Sequence, residues 1–153
     1  MQELDAFDKK ILNQLQQNNR ITAEELGSMI NLSTSAVQRR LTRLRKDKII
    51  EADISVISPS VAGFGITCIV EVALHLGNSE ALDGFKELLS ACDEVMQCYF
   101  VAGACDFILI VNTKDTGHYE AFSTKYFKEN PAVKQFCTHV VLDKVKVGFG
   151  VNI

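Results

Sequence analysis

The spacing of apolar positions changes once along this chain, from a helical period to a strand period. Leu4, Phe7, Ile11, Leu12 and Leu15 recur at helical spacing and predict a first helix from Asp5 to Gln17. Asn18-Asn19-Arg20 breaks it. Thr22 then offers a hydroxyl cap with Glu25 three residues on, the capping-box spacing, ahead of a short second helix with Ala23, Leu26 and Ile30 inward. Gly27 within that helix is read as room for a close helix–helix approach. Asn31-Leu32-Ser33 forms a tight break, and Ser33 is a good N-cap for a third helix. In that helix Val37, Leu41 and Leu44 fall within roughly 60° of arc. Ile49 to Ile57 alternates weakly, which predicts a short extended piece or wing. Ser58-Pro59-Ser60, Gly63 and Gly65 carry hinge chemistry.

From Ile66 the period is two: Ile66, Cys68, Val70, Val72, Leu74 and Leu76 predict a strand. Ser79 is expected to cap a helix with Leu82, Phe85, Leu88 or Leu89, and Cys92 inward. Strands follow at Val95 to Ala102 and Phe107 to Val111, joined by the short turn Ala102 to Asp106. Asp115 or Thr116 starts another helix with Tyr119, Phe122 and Tyr126 inward, and Asn130-Pro131 stops it. Val133 to Val147 alternates as a long last strand. The expected fold class is therefore α+β: a winged helix-turn-helix over residues 1–60, then a ferredoxin-like βαββαβ domain over residues 61–153. Phe107 to Val111 is apolar on both faces. The helix-free side of the sheet thus predicts self-association, at least a dimer.

Charge sharpens the first half. The chain carries a net charge of −3 and a pI of about 5.6, which would argue against nucleic acid if the charge were evenly spread. Residues 1–50 hold nine Lys and Arg against six Asp and Glu, whereas the remainder hold seven against thirteen. A local DNA-reading module joined to an acidic domain gives that split. The third helix shows Ser35, Gln38, Arg39, Thr42, Arg43 and Lys46 on one side, with no carboxylate before Asp47. A solvated helix face ordinarily mixes signs to gain i,i+4 pairs, so a one-signed face points to phosphate and base contact. Within the helix-turn-helix (residues 22–41), Ser33, Thr34, Ser35, Gln38 and Arg39 stand near the start of the reading helix. Thr34, Ser35, Gln38 and Arg39 are expected at base edges, with Arg43 and Lys46 on phosphates and Thr42 beside them. The expected partner is double-stranded DNA, read at two symmetric half-sites.

Other chemistries find little purchase. The five cysteines are odd in number and have no C-x-x-C spacing, which argues against a disulfide framework or a zinc knuckle. No metal-ligand cluster, nucleophile–base pair or glycine-rich phosphate loop is present, so neither an enzyme nor a cofactor protein is expected. No apolar run nears membrane-spanning length, and the first residues lack the makings of a signal peptide, which predicts a cytoplasmic protein without a membrane partner.

Five motifs in register resemble the Lrp/AsnC family of bacterial and archaeal transcription regulators over essentially the whole chain. They are L-D-x-x-D-x-x-I-L-x-x-L (Leu4 to Leu15), R-I-T-x-x-E-L (Arg20 to Leu26), L-S-x-x-x-V-x-x-R-L-x-R-L (Leu32 to Leu44), I-x-P (Ile57 to Pro59) and G-x-x-D-F (Gly103 to Phe107). The resemblance implies dimers through the second-domain sheet, octamers built from them, nucleoid association, and an amino-acid effector bound where dimers meet. Carried over, the effector residues are Gly103, Ala104, Cys105 and Asp106, with Thr138, His139 and Val140 opposite. Asp106 would pair with an α-ammonium group. The turn positions Ala104 and Cys105 are smaller than is common in relatives, and Phe136 stands where a threonine is common. The rival reading is an amino-acid-sensing interaction module without DNA binding.

Overall fold

Helix α1 (Ala6–Gln17) starts where the Asp5 side chain accepts the backbone N–H groups of Phe7 and Asp8 while the Asp8 carboxylate accepts the Asp5 N–H. The structure, a computed structural model, describes residues 3–75 and 79–153. Helix α2 (Ala23–Ile30) opens on the expected box: Thr22 N–H donates to Glu25 Oε2 at 2.7 Å, and Glu25 N–H donates to Thr22 Oγ1 at 3.2 Å. It closes on Asn31 in the left-handed region (φ 58°), a conformation asparagine tolerates better than most side chains. Leu32 N–H then turns back to the Gly27 carbonyl at 2.9 Å. A Cβ on Gly27 would stand 2.5 Å from Leu32 O, so the glycine serves the turn leaving its own helix. The expected helix–helix approach is not the reason for it.

Helix α3 (Thr34–Lys46) is capped by Ser33, whose hydroxyl accepts the Ala36 N–H. Ile11 and Leu12 of α1, Leu26 and Ile30 of α2, and Val37 and Leu44 of α3 form the buried core of this unit, with Leu41 packed against it. Each such side chain, fully buried, is worth about 1.5–3 kcal/mol. Lys48 (φ 57°) reverses the chain so that Ile49 and Ile50 both donate to the Leu44 carbonyl and lay their side chains on the same core. The expected wing does not form: residues 51–57 have no regular structure, and Ile54, Val56 and Ile57 are exposed.

The compact units are Met1–Val56 with Lys146–Ile153, and Ile57–Val145. Residues 146–153 thus belong with the helices. They do so because Ile153 joins the helical core and the Gln16 side chain bonds the Val151 backbone.

The second unit is built on four strands, β1 (Ile66–Leu74), β2 (Val95–Phe100), β3 (Phe107–Thr113) and β4 (Val133–Val140), in the order β2-β3-β1-β4 with all pairs antiparallel. Helices α4 (Ser79–Ser90) and α5 (Thr116–Ser123) complete the βαββαβ order. Leu76 lies outside the described residues, and α4 includes Ser79 as its first residue, where a cap ahead of the helix was expected. Phe85, Leu89 and Cys92 are buried as expected, and Leu88 is exposed. Asp115 caps α5 by accepting the His118 N–H at 2.7 Å.

The helix then widens into a π turn over Thr124–Lys128, which shifts the inward register by one residue. Phe127 is thereby carried into the core at 1% exposure, and Tyr126, inward as expected, packs half-buried against Phe122. Strand β2 stops at Phe100, two residues short of its expected end. Strand β4 ends at Val140 and makes no long ladder to Val147. The reason lies in its partner: β1 starts at Ile66, and the Val141 N–H to Thr67 C=O bond is the last one available. Beyond it Leu142 and Val145 are almost fully exposed despite the alternating pattern.

Cys68, Val70 and Val72 of β1 and Phe107, Leu109 and Val111 of β3 face the helices and are fully buried. The register places Ile69 beside Ile110 and His139, and Glu71 beside Ile108 and Cys137, on the other face. Tyr99 pairs with Ile108 at its edge. This face has an isoleucine centre, half-buried in the single chain, and a polar rim.

Candidate functional site

On α3, Thr34, Ser35, Gln38, Arg39, Thr42 and Lys46 are all exposed. Two of the expected contact residues have internal work. The Ser33 hydroxyl is the cap of the helix, and the Thr42 hydroxyl donates to the Gln38 carbonyl at 3.0 Å. Arg43 departs furthest from expectation. Its Nη2 lies 2.5 Å from Oδ2 of Asp8, a carboxylate on α1 that is 1% exposed. Arg40 donates from Nη1 to both Asp5 and Asp8 at 2.7 Å, which raises its pKa through Asp5 first and Asp8 second. Arg45 forks onto Asp53 at 2.7 and 3.3 Å and holds that carboxyl below the ordinary range. Arg39 and Lys46 form no ion pair among the described residues. With Gln38, Ser35 and Thr34 they make the polar, cationic outer stripe of the helix. The side chains that sequence reading missed are Asp5 and Asp8. Their signal was a pair of carboxylates three apart on one helix, matching Arg40 and Arg43 three apart on another.

The seven expected effector residues are distributed around β1. Gly103 and Ala104 are exposed at the β2–β3 turn, with Cys105 half-buried beside them. Asp106 closes that turn: its N–H donates to Val72 O at 2.9 Å, its carbonyl accepts from Val101 N–H at 2.8 Å, and its Oδ2 accepts the Leu74 N–H at 2.7 Å. The carboxylate therefore already has a backbone partner. Thr138, on the far side of β1, pairs with Val70 and touches the Tyr119 hydroxyl beneath α5, where burial pushes the phenol pKa up. His139 points to the opposite face, with Nε2 3.3 Å from Glu71 Oε1 and 3.7 Å from Cys137 Sγ. Val140 is exposed at the strand end. One chain does not gather Thr138 and His139 on one side of the sheet.

A half-open cavity of about 360 Å³ lies elsewhere in this unit, lined by Ser58, Phe64, Thr67, Val141 and Lys144 among others, and includes none of those seven residues. Among the described residues no group of three or more His, Cys, Asp or Glu side chains is arranged to hold a metal. Among them, too, no helix is long and apolar enough to cross a membrane.

A capped three-helix unit with an exposed cationic third helix, covalently joined to a βαββαβ unit, defines a helix-turn-helix regulator with a second, sensory-type domain. Comparison with known proteins agrees. Residues 4–45 match the AsnC-type helix-turn-helix domain, and residues 67–151 match the Lrp/AsnC ligand binding domain. An uncharacterized HTH-type transcriptional regulator of Sinorhizobium fredii is 47% identical over 99% of this chain and 89% of its own length. The leucine-responsive regulatory protein of Haemophilus influenzae is 30% identical over 94% of this chain and 86% of its own. Among solved structures, a transcriptional regulator from Neisseria meningitidis in complex with L-Met superposes with a TM-score of 0.92 at 26% identity, covering 98% of this chain and 97% of that one. The chain belongs to the Lrp/AsnC family of transcriptional regulators.

Proposed function

We propose that this regulator binds double-stranded DNA as a symmetric dimer and that an amino acid modulates its assembly. The observation that carries the reading is the outer stripe of α3: Thr34, Ser35, Gln38, Arg39 and Lys46 are exposed together on a capped, well-packed helix. Thr34, Ser35, Gln38 and Arg39 reach base edges in the major groove, and Lys46 holds phosphate. The isoleucine centre of the helix-free sheet face, around Ile69, Ile108 and Ile110, supports pairing of two copies there. Such dimers join into larger assemblies up to octamers. The turn Gly103–Asp106 of one dimer and the Thr138–Val140 strand end of a neighbour together take the effector, consistent with neither segment completing a site alone. The Neisseria neighbour's L-Met supports an amino acid as the ligand class. Effector and DNA then influence each other's affinity reciprocally. The protein acts by binding, without catalysis or a cofactor, in the cytoplasm at the nucleoid.

The test is fluorescence anisotropy on a duplex enriched in vitro from random-sequence DNA. Arg39→Ala is expected to weaken binding about five- to 150-fold with the fold intact, a loss of about 1–3 kcal/mol for a bidentate base contact. Unchanged binding would remove α3 as the reading element.

A further inference from the structure

Asp8 is a carboxylate shut away from solvent beside a mainly aliphatic helical core. An ionised group in that position needs partners, and both of its oxygens have one. Oδ1 takes Arg40 and Oδ2 takes Arg43, two residues three apart on α3. Arg43 is oriented inward to make this contact: its Nε is buried without a hydrogen-bond partner. Arg40 is held from two sides, since Asp5 binds the same nitrogen. A small pocket of about 210 Å³ lined by Asp5, Arg39, Arg40 and Arg43 marks where these charges meet.

We infer that Asp8 is a positioning residue that determines how many cations the reading helix offers to DNA. It withdraws Arg40 and Arg43 from phosphate contact and uses them as struts that fix the rotation of α3 against α1. The base-edge side chains Thr34, Ser35, Gln38 and Arg39 are thereby shown in one orientation. The inference rests on α3 being the reading helix and refines it: Arg43, on the cationic side of the helix, is a strut and not a phosphate ligand. Sequence-independent affinity grows with each phosphate neutralised, whereas discrimination comes from base edges. Engaging two guanidinium groups on Asp8 therefore favours discrimination over general stickiness.

Salt titrations of the full chain test this, with the enriched duplex and a random-sequence duplex as probes. Each lost phosphate contact flattens the slope of log affinity against log salt by about 0.9 per bound subunit. Lys46→Met, at the phosphate contact, is expected to flatten the slope by about that amount, and Arg43→Met to leave it unchanged, with Arg40 still holding Asp8. Asp8→Asn is expected to steepen the slope by about 0.9 to 1.8 as the struts swing out. It should also raise affinity for the random duplex several-fold and lower the ratio of enriched to random binding. Circular dichroism checks that each variant folds, and the Arg43→Met result decides the matter if Asp8→Asn does not. An Arg43→Met slope flattened as much as that of Lys46→Met overturns the inference. A slope unmoved by Lys46→Met overturns the reading-helix assignment and this inference with it.

Discussion

Gln16 holds the backbone of Val151 by both of its polar groups, donating from Nε2 to the carbonyl at 3.1 Å and accepting the N–H on Oε1 at 2.6 Å. Two residues further on, Ile153 packs into the core made by α1, α2 and α3. Each hydrogen bond is worth about 0.5–1.5 kcal/mol, and the partly buried isoleucine adds about 1 kcal/mol. Deleting residues 146–153 is expected to lower the melting temperature of the helical unit by about 10 °C or more in calorimetry. Gln16→Ala, which removes both hydrogen bonds and leaves Ile153, should give half of that or more. An unshifted transition would mean that the segment is not part of the unit in solution.

Gly27→Ala reverses a familiar sign. Alanine at a mid-helix glycine ordinarily gains about 1 kcal/mol. Here its Cβ would collide with the Leu32 carbonyl, 2.5 Å away in a turn fixed by the left-handed Asn31. The expected outcome in urea denaturation is destabilisation by about 1–3 kcal/mol. A stabilised variant would show that the turn can relax.

Ile110→Lys places a charge in the middle of the helix-free sheet face, opposite Ile69. It should give a folded monomer in size-exclusion chromatography with light scattering, because the substituted side chain lies away from the buried face of β3. A variant that keeps the wild-type mass would locate self-association elsewhere.

Asp106 separates a structural duty from a ligand duty. Asp106→Ala leaves the Leu74 N–H without its acceptor, at a cost of about 1–3 kcal/mol by chemical denaturation. Asp106→Asn keeps an acceptor oxygen and should fold nearly as well, while losing the charge that an ammonium group would need. If the Asn variant still shows wild-type ligand-induced changes in assembly, the carboxylate plays no part in recognition.

Acid should loosen the helical unit in a defined window. The Asp5 carboxyl is held below its ordinary value by the Asp8 N–H first and Arg40 second, that of Glu25 by the Thr22 N–H, and that of Asp53 by Arg45. A carboxyl depressed in the folded state adds stability above its unfolded pKa, and that stability is lost as pH falls through the folded value. The melting temperature is therefore expected to be level down to about pH 5 and to decline below about pH 4. All three groups are open to solvent, so the decline is modest. Replacing Asp5 and Asp53 by Asn and Glu25 by Gln should lower the plateau and flatten the decline.

Local rules read well from sequence wherever the partner is a few residues away. Thr22 with Glu25, Ser33 with Ala36 and Asp115 with His118 are caps whose donors and acceptors lie within three positions. Errors arose where the answer lay at a distance. Alternation continues through Val147, but a strand ends when its neighbour does, and β1 begins at Ile66. The burial of Phe127 was missed because helical periodicity assumes a constant turn, which the π turn breaks. Asp8 drew no role of its own from the sequence, since its arginine partners lie 32 and 35 residues away. The one-signed face of α3 was legible as a face. Which of its cations are already engaged was not.

The interleaving of the two units also sets an order of manufacture. Residues 57–145 separate the three helices from the segment that finishes their core. On the ribosome the ligand-binding unit is thus fully synthesised before the DNA-reading unit receives Ile153 and the clasp on Gln16. A nascent chain can complete its sensory half while its operator-reading half still lacks a piece, and chains abandoned late in translation would carry a whole sensor beside a loosened reader.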